Sequence, residues 1–352
     1  MIYFTPGPSQ LYPNLDKHIL SALKLDIPSI SHRSDIFHEI IISIEKNLKD
    51  LLDIPVEYKV FFLASATEAM ERIIENCVKD YSFHLVNGAF SKRFYDTALE
   101  LKKHPQILEV SLGEGFKPDV KIPGIPELIA ITHNETSTGV ALPMSMVTEL
   151  SRRYPESLIV LDVTSSAPYV QVDFSAVDLL FFSVQKGFGL PPGLGVLVVS
   201  PRAFSKAESM QKKGENIGYF HSFPKMQSQA IKHQTVETPN ILGMYLFEKV
   251  LADMLSISIV SIRDATDKKA DLLYRFFEHH PEYEIFVKNT MYWSKTVVVV
   301  NTKIPPREVI TKLKNLGFLI GTGYGEYKEK QLRIANFPAH GLNQTINLLA
   351  AI

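Results

Sequence analysis

Disulfides, long apolar runs and an excess of either charge are all absent from this sequence. Cys77 is the single cysteine among 352 residues, so the chain forms no internal disulfide. No stretch approaches the roughly 18 apolar residues of a membrane-spanning helix. Residues 1–13 also lack the basic and apolar regions of a signal peptide. The formal net charge is −1, which does not favour a nucleic-acid or anionic-membrane partner. These absences predict a soluble, cytoplasmic protein.

The composition is that of a large globular protein. Hydrophobic residues make up 45% of the chain and charged residues 21%, both ordinary values for a folded chain. A length of 352 residues is enough for two domains. Cys77 falls in an apolar helical pattern with Ile73, Ile74 and Val78, which predicts a core position. The histidines show no spacing typical of a metal site, so no metal is predicted.

Short apolar runs alternate with polar turns and helical patterns along the first 200 residues. The runs lie at 58–63, 82–86, 129–132, 158–161, 179–184 and 196–199. Because they are apolar on both faces, they are typical of an α/β fold, a mostly parallel sheet covered by helices. Such sheets bind ligands outside the carboxyl ends of their strands. The side chains predicted to meet at that edge are Ser65, Phe90, Thr136, Asp162 and Lys186.

The pattern changes after residue 200. Residues 205–240 are polar and irregular, and are predicted to form a long surface or interface loop. A helical region from 241 to 279 is interrupted near 256–261, and the strand patterns that follow favour a smaller α+β domain. Residues 1–15 contain three prolines and a glycine, which predicts an extended arm. The expected division is an arm at 1–15, a large domain at 16–254 and a small domain at 255–352.

Two predicted helix starts have features of anion sites. Ser65 and Glu68 match the S-x-x-E capping box, and a helix that begins there offers free backbone N–H groups to a phosphate. His32 and Arg33 precede a second helix, which carries an apolar stripe over 36–52. Cations at a helix N-terminus oppose the helix dipole. The pair therefore indicates an anionic ligand, although solvated surface residues fit the same pattern.

Lys186 and Asp162 suggest cofactor chemistry. Lys186 follows a buried strand and enters a turn rich in glycine and proline; burial lowers the pKa of a lysine, and Schiff-base chemistry requires the neutral amine. Asp162 ends the preceding strand. An aspartate at the ring nitrogen and a lysine at the aldehyde carbon are the pair that pyridoxal phosphate needs. The simpler alternatives are a lysine that reaches solvent and an aspartate that caps a helix.

The sequence resembles the class V aminotransferases, pyridoxal-phosphate enzymes of fold type I. Segments that occur in the family's order carry the resemblance: TPGPS, SHR, ASATEAME, VNGAF, HNETSTGV, LDVTSS and SVQKGFGLPPG. It implies that Lys186 forms the Schiff base with the cofactor and that Asp162 contacts the pyridine nitrogen. It further implies that Phe90 stacks on the ring and that Thr136 lies near its hydroxyl.

The same resemblance implies the remaining contacts. The cofactor phosphate would be held by Ser65, Ala66, Thr67 and Gln185. Thr238 would reach the phosphate of the neighbouring subunit in a homodimer with shared active sites, although Glu237 replaces the asparagine often found before it. Arg333, in QLRIANF, matches the arginine that binds the α-carboxylate of an amino-acid or 2-oxo-acid substrate.

Two branches of the family compete. The SHR segment resembles phosphoserine aminotransferases, whose histidine and arginine bind the substrate phosphate from the other subunit, as His32 and Arg33 would here. That branch implies transamination between phosphoserine and 2-oxoglutarate in serine biosynthesis. Its second His-Arg pair is missing, because Glu326 and Tyr327 occupy that stretch, with Lys328 and Lys330 as substitutes. TPGPS and ETSTGV are instead similar to serine– or alanine–glyoxylate aminotransferases, which are the alternative; the phosphoserine branch is the favoured prediction.

Other classes fit less well. Ser183 to Lys186 spells the S-x-x-K of serine hydrolases, but that motif should open a helix rather than end an apolar strand. The segment 321–325, GTGYG, lacks the spacing of a dinucleotide-binding loop. A cofactor-binding relative without activity would retain the fold. The presence of Lys186, Asp162 and Arg333 argues against that reading.

Overall fold

The computed structural model describes residues 1–117 and 119–352. In this part of the chain the strands are β1 (Ile2–Phe4), β2 (Lys59–Leu63), β3 (Ser82–Val86), β4 (Gln106–Glu109), β5 (Leu128–Thr132), β6 (Asn134–Glu135), β7 (Val140–Ala141), β8 (Leu158–Asp162), β9 (Leu179–Ser183), β10 (Gly195–Val199), β11 (Tyr283–Ile285), β12 (Val297–Thr302), β13 (Phe318–Thr322) and β14 (Gln331–Ala335). The helices are α1 (Leu15–Lys24), α2 (Asp35–Leu52), α3 (Ala66–Cys77), α4 (Ala89–Glu100), α5 (Met144–Arg153), α6 (Pro201–Lys212), α7 (Phe223–Ala230), α8 (Ile241–Ile257), α9 (Ile259–His279), α10 (Pro306–Asn315) and α11 (Leu342–Ala351).

The larger sheet has the strand order β2-β10-β9-β8-β5-β3-β4. β3, β4, β5, β8 and β9 pair in parallel, whereas β10 runs antiparallel to both of its neighbours, β2 and β9. Since β10 reverses the direction twice, β2 points the same way as the parallel strands. The predicted α/β fold with a mostly parallel sheet is therefore confirmed.

Alternate residues of the central strands contribute to two separate cores. Leu128, Ala130, Leu158 and Val160 pack in the core formed with α3, α4, α6 and α7. Their neighbours in sequence, including Ile129 and Ile159, pack in the core on the other face, with α2 and α8. A strand alternates its side chains between faces, so a sheet covered on both sides needs uninterrupted apolar strands. This requirement explains the continuous apolar runs in the sequence.

The smaller sheet has the order β1-β13-β14-β12-β11. β1, from the N-terminal arm, pairs in parallel with β13, so the first residues join the C-terminal sheet. The helical region is interrupted at Ser258, whose φ of 77° ends α8 and whose hydroxyl accepts a hydrogen bond from the backbone N–H of Ser261 at the start of α9. The break lies where the sequence predicts it. The domain boundaries at 15 and 254 stay a prediction.

The prediction of a long loop at 205–240 is wrong, because α6 and α7 occupy much of this range. Ser200 caps α6, Pro201 occupies its first turn, and Ala203, Ala207 and Met210 are buried on one face. Such an arrangement is a standard helix start followed by helical spacing. Two small side chains among the three buried positions made the apolar stripe weak. The sequence patterns also gave no indication of α1 or β4.

Several features are not found within residues 1–117 and 119–352. None of the helices there combines the length and apolar character that a bilayer crossing requires. No group of three histidine, cysteine, aspartate or glutamate residues is arranged to hold a metal ion in the same residues. Cys77 is completely buried in α3, which confirms its predicted core position.

Candidate active site

The carboxyl ends of the parallel strands surround a cavity of about 220 Å³. It is lined by most of the residues predicted for the site: Ser65, Ala66, Thr67, Phe90, Thr136, Asp162, Gln185, Lys186 and Arg333. These residues come from widely separated parts of the chain, and the parallel sheet brings them to one edge. Of the predicted site residues, His32, Arg33 and Thr238 do not line this cavity.

Lys186 is held inside the cavity with only 7% of its surface exposed. Its Nζ donates a hydrogen bond to the Oγ1 of Thr136 at 2.8 Å. Burial lowers the pKa of Lys186 to about 8, and the nearby carboxylates of Asp162 and Glu135 partly oppose that shift. A lysine with this pKa supplies a substantial fraction of neutral amine near neutral pH. The alternative of a lysine that reaches solvent does not fit this burial.

Asp162 is also buried, with 4% of its surface exposed. Its Oδ1 accepts a hydrogen bond from the backbone N–H of Thr164 at 2.8 Å. Burial raises the pKa of the carboxyl group, and the hydrogen bond from the backbone N–H of Thr164 and the charge of Lys186 oppose that increase. The segment after Asp162 is a series of turns rather than a helix, so a helix-capping role does not explain this carboxylate.

The start of α3 has the features of a phosphate cradle. The Oγ of Ser65 accepts the backbone N–H of Glu68 at 3.1 Å, and the Glu68 carboxylate accepts the N–H of Ala64 at 2.8 Å. The capping box is thus present, except that the Glu68 carboxylate accepts the N–H of Ala64 and not that of the capping residue, Ser65. The N–H of Ala66 donates to the Oγ of Ser183 at 2.6 Å. Within the described residues the N–H of Thr67 has no acceptor, so it is available to an anion.

Two further polar atoms at the cavity have no hydrogen-bond partner. The Oε1 of Gln185 and the Oγ1 of Thr164 are buried and unpaired among the described residues. Buried polar atoms without partners are costly, and a functional site is one reason for them. Together with the Thr67 N–H, they fit a polar group such as a phosphorylated pyridine.

Glu135 was missed by the sequence analysis as a site residue. It is fully buried, and its carboxylate accepts hydrogen bonds from the backbone N–H groups of Phe90 at 3.1 Å, Ser91 at 2.9 Å and Ser137 at 3.1 Å. These bonds fasten the start of α4 to the turn that carries Thr136. As a result the Phe90 ring lies 5.0 Å from the Nζ of Lys186. The sequence feature that could have identified Glu135 is its position inside the HNETSTG segment.

Arg333 extends from β14 into the same cavity. Its Nε donates to the carbonyl of Thr322 at 2.7 Å and its Nη1 to the carbonyl of Thr136 at 3.2 Å. Burial lowers the pKa of the guanidinium to about 10. No carboxylate within the described residues forms an ion pair with it. A buried guanidinium that is bonded only to carbonyls is suited to an incoming carboxylate.

Arg93 and Tyr324 also line the cavity and were not predicted. The Arg93 guanidinium lies 5.1 Å from the centre of the Phe90 ring, and its Nη2 is 3.5 Å from the Tyr324 hydroxyl. Arg93 follows Phe90 by three residues on α4, so both project on the same side of the helix. The cavity lining does not include Glu326, Tyr327, Lys328 or Lys330.

The N-terminal arm crosses the Lys186 turn. The backbone N–H of Ser9 donates to the carbonyl of Gln185 at 3.2 Å, and that of Tyr12 to the carbonyl of Gly189 at 2.8 Å. Gly7, with a φ of +139°, lies so close that an added Cβ would be 2.8 Å from the Cε of Lys186. A glycine is therefore required where the arm passes the lysine.

His32, Arg33 and Thr238 form a second group, which we call the cationic patch. The Nδ1 of His32 lies 3.5 Å from the Oγ1 of Thr238, and the Nη1 of Arg33 donates to Gln234 at 3.1 Å. Both basic residues precede Ser34, the cap of α2, as predicted. Burial and the charge of Arg33 lower the pKa of His32.

Glu237, the residue before Thr238, has a structural partner. Its carboxylate lies 3.0 Å from the Nε2 of His221, whose Nδ1 is 2.8 Å from Glu68. The two carboxylates raise the pKa of His221 to about 9, so the imidazole is charged at neutral pH. The ion pairs link the Thr238 segment to the first turn of α3. Glu237, which replaces the asparagine often found in the family, therefore has a structural role in these ion pairs.

Comparison with known proteins places this site in a family. The family model for the aminotransferase class V domain matches residues 112–326. The chain belongs to the class V aminotransferases. It is similar to a phosphoserine aminotransferase from Cytophaga hutchinsonii, a solved structure with 45% identity and a TM-score of 0.98, over 99% of this chain and 97% of that one.

More distant relatives agree with this assignment. A phosphoserine aminotransferase from Rhodococcus opacus is 29% identical over 346 residues, which are 96% of this chain and 90% of that protein. An alanine–glyoxylate aminotransferase from Nostoc sp. shares the fold, with a TM-score of 0.84 and 22% identity over 99% of this chain and 93% of that one. The predicted resemblance to class V, fold type I aminotransferases is confirmed, and the protein is a pyridoxal-phosphate-dependent aminotransferase.

Proposed function

We propose that this class V aminotransferase moves an amino group between phosphoserine and 3-phosphohydroxypyruvate on one side and glutamate and 2-oxoglutarate on the other. That exchange belongs to serine biosynthesis. The observation that carries the proposal is the His32–Arg33 pair, which lies beside Thr238 and has no carboxylate partner among the described residues. Arg33 supplies a positive charge and His32 an imidazole N–H, and donors of these two kinds suit a phosphate monoester. The 45% identity to a phosphoserine aminotransferase supports the same substrate.

The residues at the cavity fit pyridoxal phosphate. The first turn of α3 and Gln185 would hold its phosphate, Asp162 its ring nitrogen and Phe90 one face of its ring. Lys186, with a pKa of about 8, supplies the amine that attaches the aldehyde. When bound, the cofactor provides an electron-withdrawing ring that acidifies the α-carbon of the substrate.

The chain's own residues then account for substrate handling. Arg333 binds the substrate α-carboxylate through the part of its guanidinium that the Thr322 and Thr136 carbonyls leave free. With the cofactor bound, the Nζ of Lys186 would serve as the general base that accepts the proton from the substrate α-carbon. Thr136 orients that Nζ through its 2.8 Å hydrogen bond.

We further infer a cytoplasmic homodimer that shares its active sites. Large apolar side chains are exposed on α1, on α2 and in the segment before and after α7, and they comprise Leu20, Leu23, Leu25, Ile36, Ile42, Tyr219, Phe220 and Ile231. Exposed large apolar side chains, where they form a contiguous patch, are typical of interfaces. In this homodimer we propose that the cationic patch of one subunit faces the cavity of the other, because His32, Arg33 and Thr238 do not line the cavity of their own chain.

Arg33→Ala is expected to lower kcat/KM for phosphoserine by about tenfold to a hundredfold and to leave kcat/KM for alanine unchanged. The reason is the loss of one charge-assisted interaction, worth about 1.5–3 kcal/mol. Steady-state kinetics with both donors measures the effect. The control is Arg307→Ala, at the exposed start of α10, which should leave both donors unaffected. An equal loss with phosphoserine and alanine would contradict the assigned phosphate contact.

Mixed dimers test which subunit supplies Arg33. A hybrid of Arg33→Ala and Lys186→Ala chains contains one site with an intact lysine and the partner's intact arginine. Mixing and refolding the two variants should therefore restore phosphoserine turnover above that of either alone. If Arg33 served its own chain, every site in the hybrid would lack one group, and no turnover would return.

A further inference from the structure

We infer that Arg93 binds the side-chain carboxylate of a dicarboxylic substrate, glutamate or 2-oxoglutarate, whose α-carboxylate lies on Arg333. The inference rests on the proposed function, because it assigns a residue to the dicarboxylate half of that exchange. It makes Arg93 a specificity residue within the same chain, separate from the cationic patch proposed for the phosphorylated substrate.

The position of Arg93 is the first argument. It lies on α4, half-buried, with its guanidinium 5.1 Å from the Phe90 ring and in the lining of the same cavity as Lys186 and Arg333. A guanidinium stacked on an aromatic ring keeps its edge free for hydrogen bonds to an anion. Its single hydrogen bond in the described structure goes to the Tyr324 hydroxyl, at 3.5 Å.

The charge balance is the second argument. Glu71 and Asp96 are near Arg93 at the surface, but Glu71 pairs with Arg72 at 2.8 Å and Asp96 pairs with Lys92. Among the described residues no carboxylate lies within ion-pair distance of Arg93. A half-buried cation without a partner is costly. An anionic ligand group would provide the missing partner.

The electrostatic influence of Arg93 reaches the catalytic lysine. Both Arg93 and Arg333 lower the pKa of Lys186, against the opposing effects of Asp162 and Glu135. Two guanidinium groups without a carboxylate partner among the described residues thus line the cavity that contains Lys186. A substrate with two carboxylates satisfies both cations, whereas one with a single carboxylate satisfies only Arg333.

Tyr324 lies beside both cations. Its hydroxyl contacts Arg93, and its ring centre lies 5.5 Å from the Cζ of Arg333. Both guanidinium groups therefore adjoin the same tyrosine side chain in one cavity, and a short dicarboxylate bound there would contact both. Tyr324 is 36% exposed and packs against Phe90, with ring centres 5.5 Å apart, so it lies at the mouth of the cavity.

Binding of unreactive acids to the cofactor-loaded enzyme tests this assignment. Glutarate carries both carboxylates but no amine, and butyrate carries one. In Arg93→Gln, isothermal titration calorimetry should show glutarate affinity about tenfold to a hundredfold weaker and butyrate affinity unchanged, as expected for one lost charge-assisted contact. Arg93→Lys should retain part of the preference for glutarate, because the charge remains and the planar fork is lost.

A matched control uses Arg153, which is half-exposed on α5. Its guanidinium stacks 5.5 Å from the Tyr154 ring, as Arg93 stacks on Phe90, but it lies outside the cavity. Arg153→Gln should bind glutarate and butyrate like the unaltered enzyme. Thermal unfolding of each variant verifies that its fold is retained.

Two outcomes would overturn the assignment. Unchanged glutarate affinity in Arg93→Gln would show that Arg93 does not contact the distal carboxylate. Equal weakening of glutarate and butyrate binding would show that Arg93 maintains the shape of the cavity and does not contact the distal carboxylate. If the unaltered enzyme bound glutarate but did not transaminate phosphoserine, the proposed function would fail and the Arg93 assignment would stand.

Discussion

Replacing Lys186 with alanine is expected to reduce transamination by at least about 10³-fold without loss of the fold. In the proposed function the side chain would supply both the attachment of the cofactor aldehyde and the base for the α-proton, and a positioned general base alone contributes about 10²- to 10⁴-fold. Its single side-chain hydrogen bond, to Thr136, is a small part of the stability. Single-turnover kinetics with phosphoserine measures the loss.

Borohydride treatment of the cofactor-loaded protein, followed by peptide mass spectrometry, gives an independent result. The pyridoxyl label should appear on Lys186 and vanish in Lys186→Ala. Lys269→Met is a demanding control, since Lys269 is 2% exposed and burial lowers its pKa to about 8 as well. Its Nζ bonds to the carbonyls of Phe337 and His340. That variant should lose stability and keep the label; a label on Lys269 would contradict the assignment.

Asp162→Asn is expected to lower kcat by about 10²- to 10³-fold with a smaller change in KM. A buried carboxylate stabilises a nearby positive charge strongly because the site has a low dielectric constant. Removing one preorganised group of this kind raises the activation free energy by about 2.7–4 kcal/mol. The asparagine keeps the size and the hydrogen bond from Thr164, so the change removes mainly the charge. Steady-state kinetics and the cofactor dissociation constant report the effect together.

Asp178→Asn is the matched control. Asp178 is buried, and burial raises its pKa as it does for Asp162, but it precedes β9 at the opposite edge of the sheet. It accepts the backbone N–H of Ile159 at 2.9 Å and pairs with Arg202 at 3.1 Å. This variant should unfold at a lower temperature and keep its kcat. Equal kcat losses in both variants would mean that Asp162 serves only the fold.

The sequence predicted the strand-end residues well, because their positions follow from chain order alone. A polar residue after a buried strand of a parallel sheet must lie at the carboxyl edge, and Ser65, Thr136, Asp162 and Lys186 do so. Local patterns also sufficed for the helix start at Ser34. Arg333 came instead from the family resemblance, since it lies within β14 rather than at its end.

Residues that depend on tertiary packing were missed. Arg93 enters the cavity because α4 is oriented by the Glu135 carboxylate, and no local pattern contains that contact. Tyr324 lies in a turn whose direction is set by the smaller sheet. The buried face of α6 escaped notice because alanine contributes little to an apolar stripe.

The central claim, a phosphoserine-specific aminotransferase, is tested most directly by titrating the purified enzyme with amino donors. The visible absorbance of bound pyridoxal phosphate is followed while phosphoserine, alanine and serine are added separately. Our account predicts that phosphoserine bleaches this band at far lower concentration than the other two. Bleaching by alanine or serine at the lower concentration would contradict it and favour the glyoxylate branch. Failure to bind the cofactor at all would contradict the assigned chemistry of Lys186.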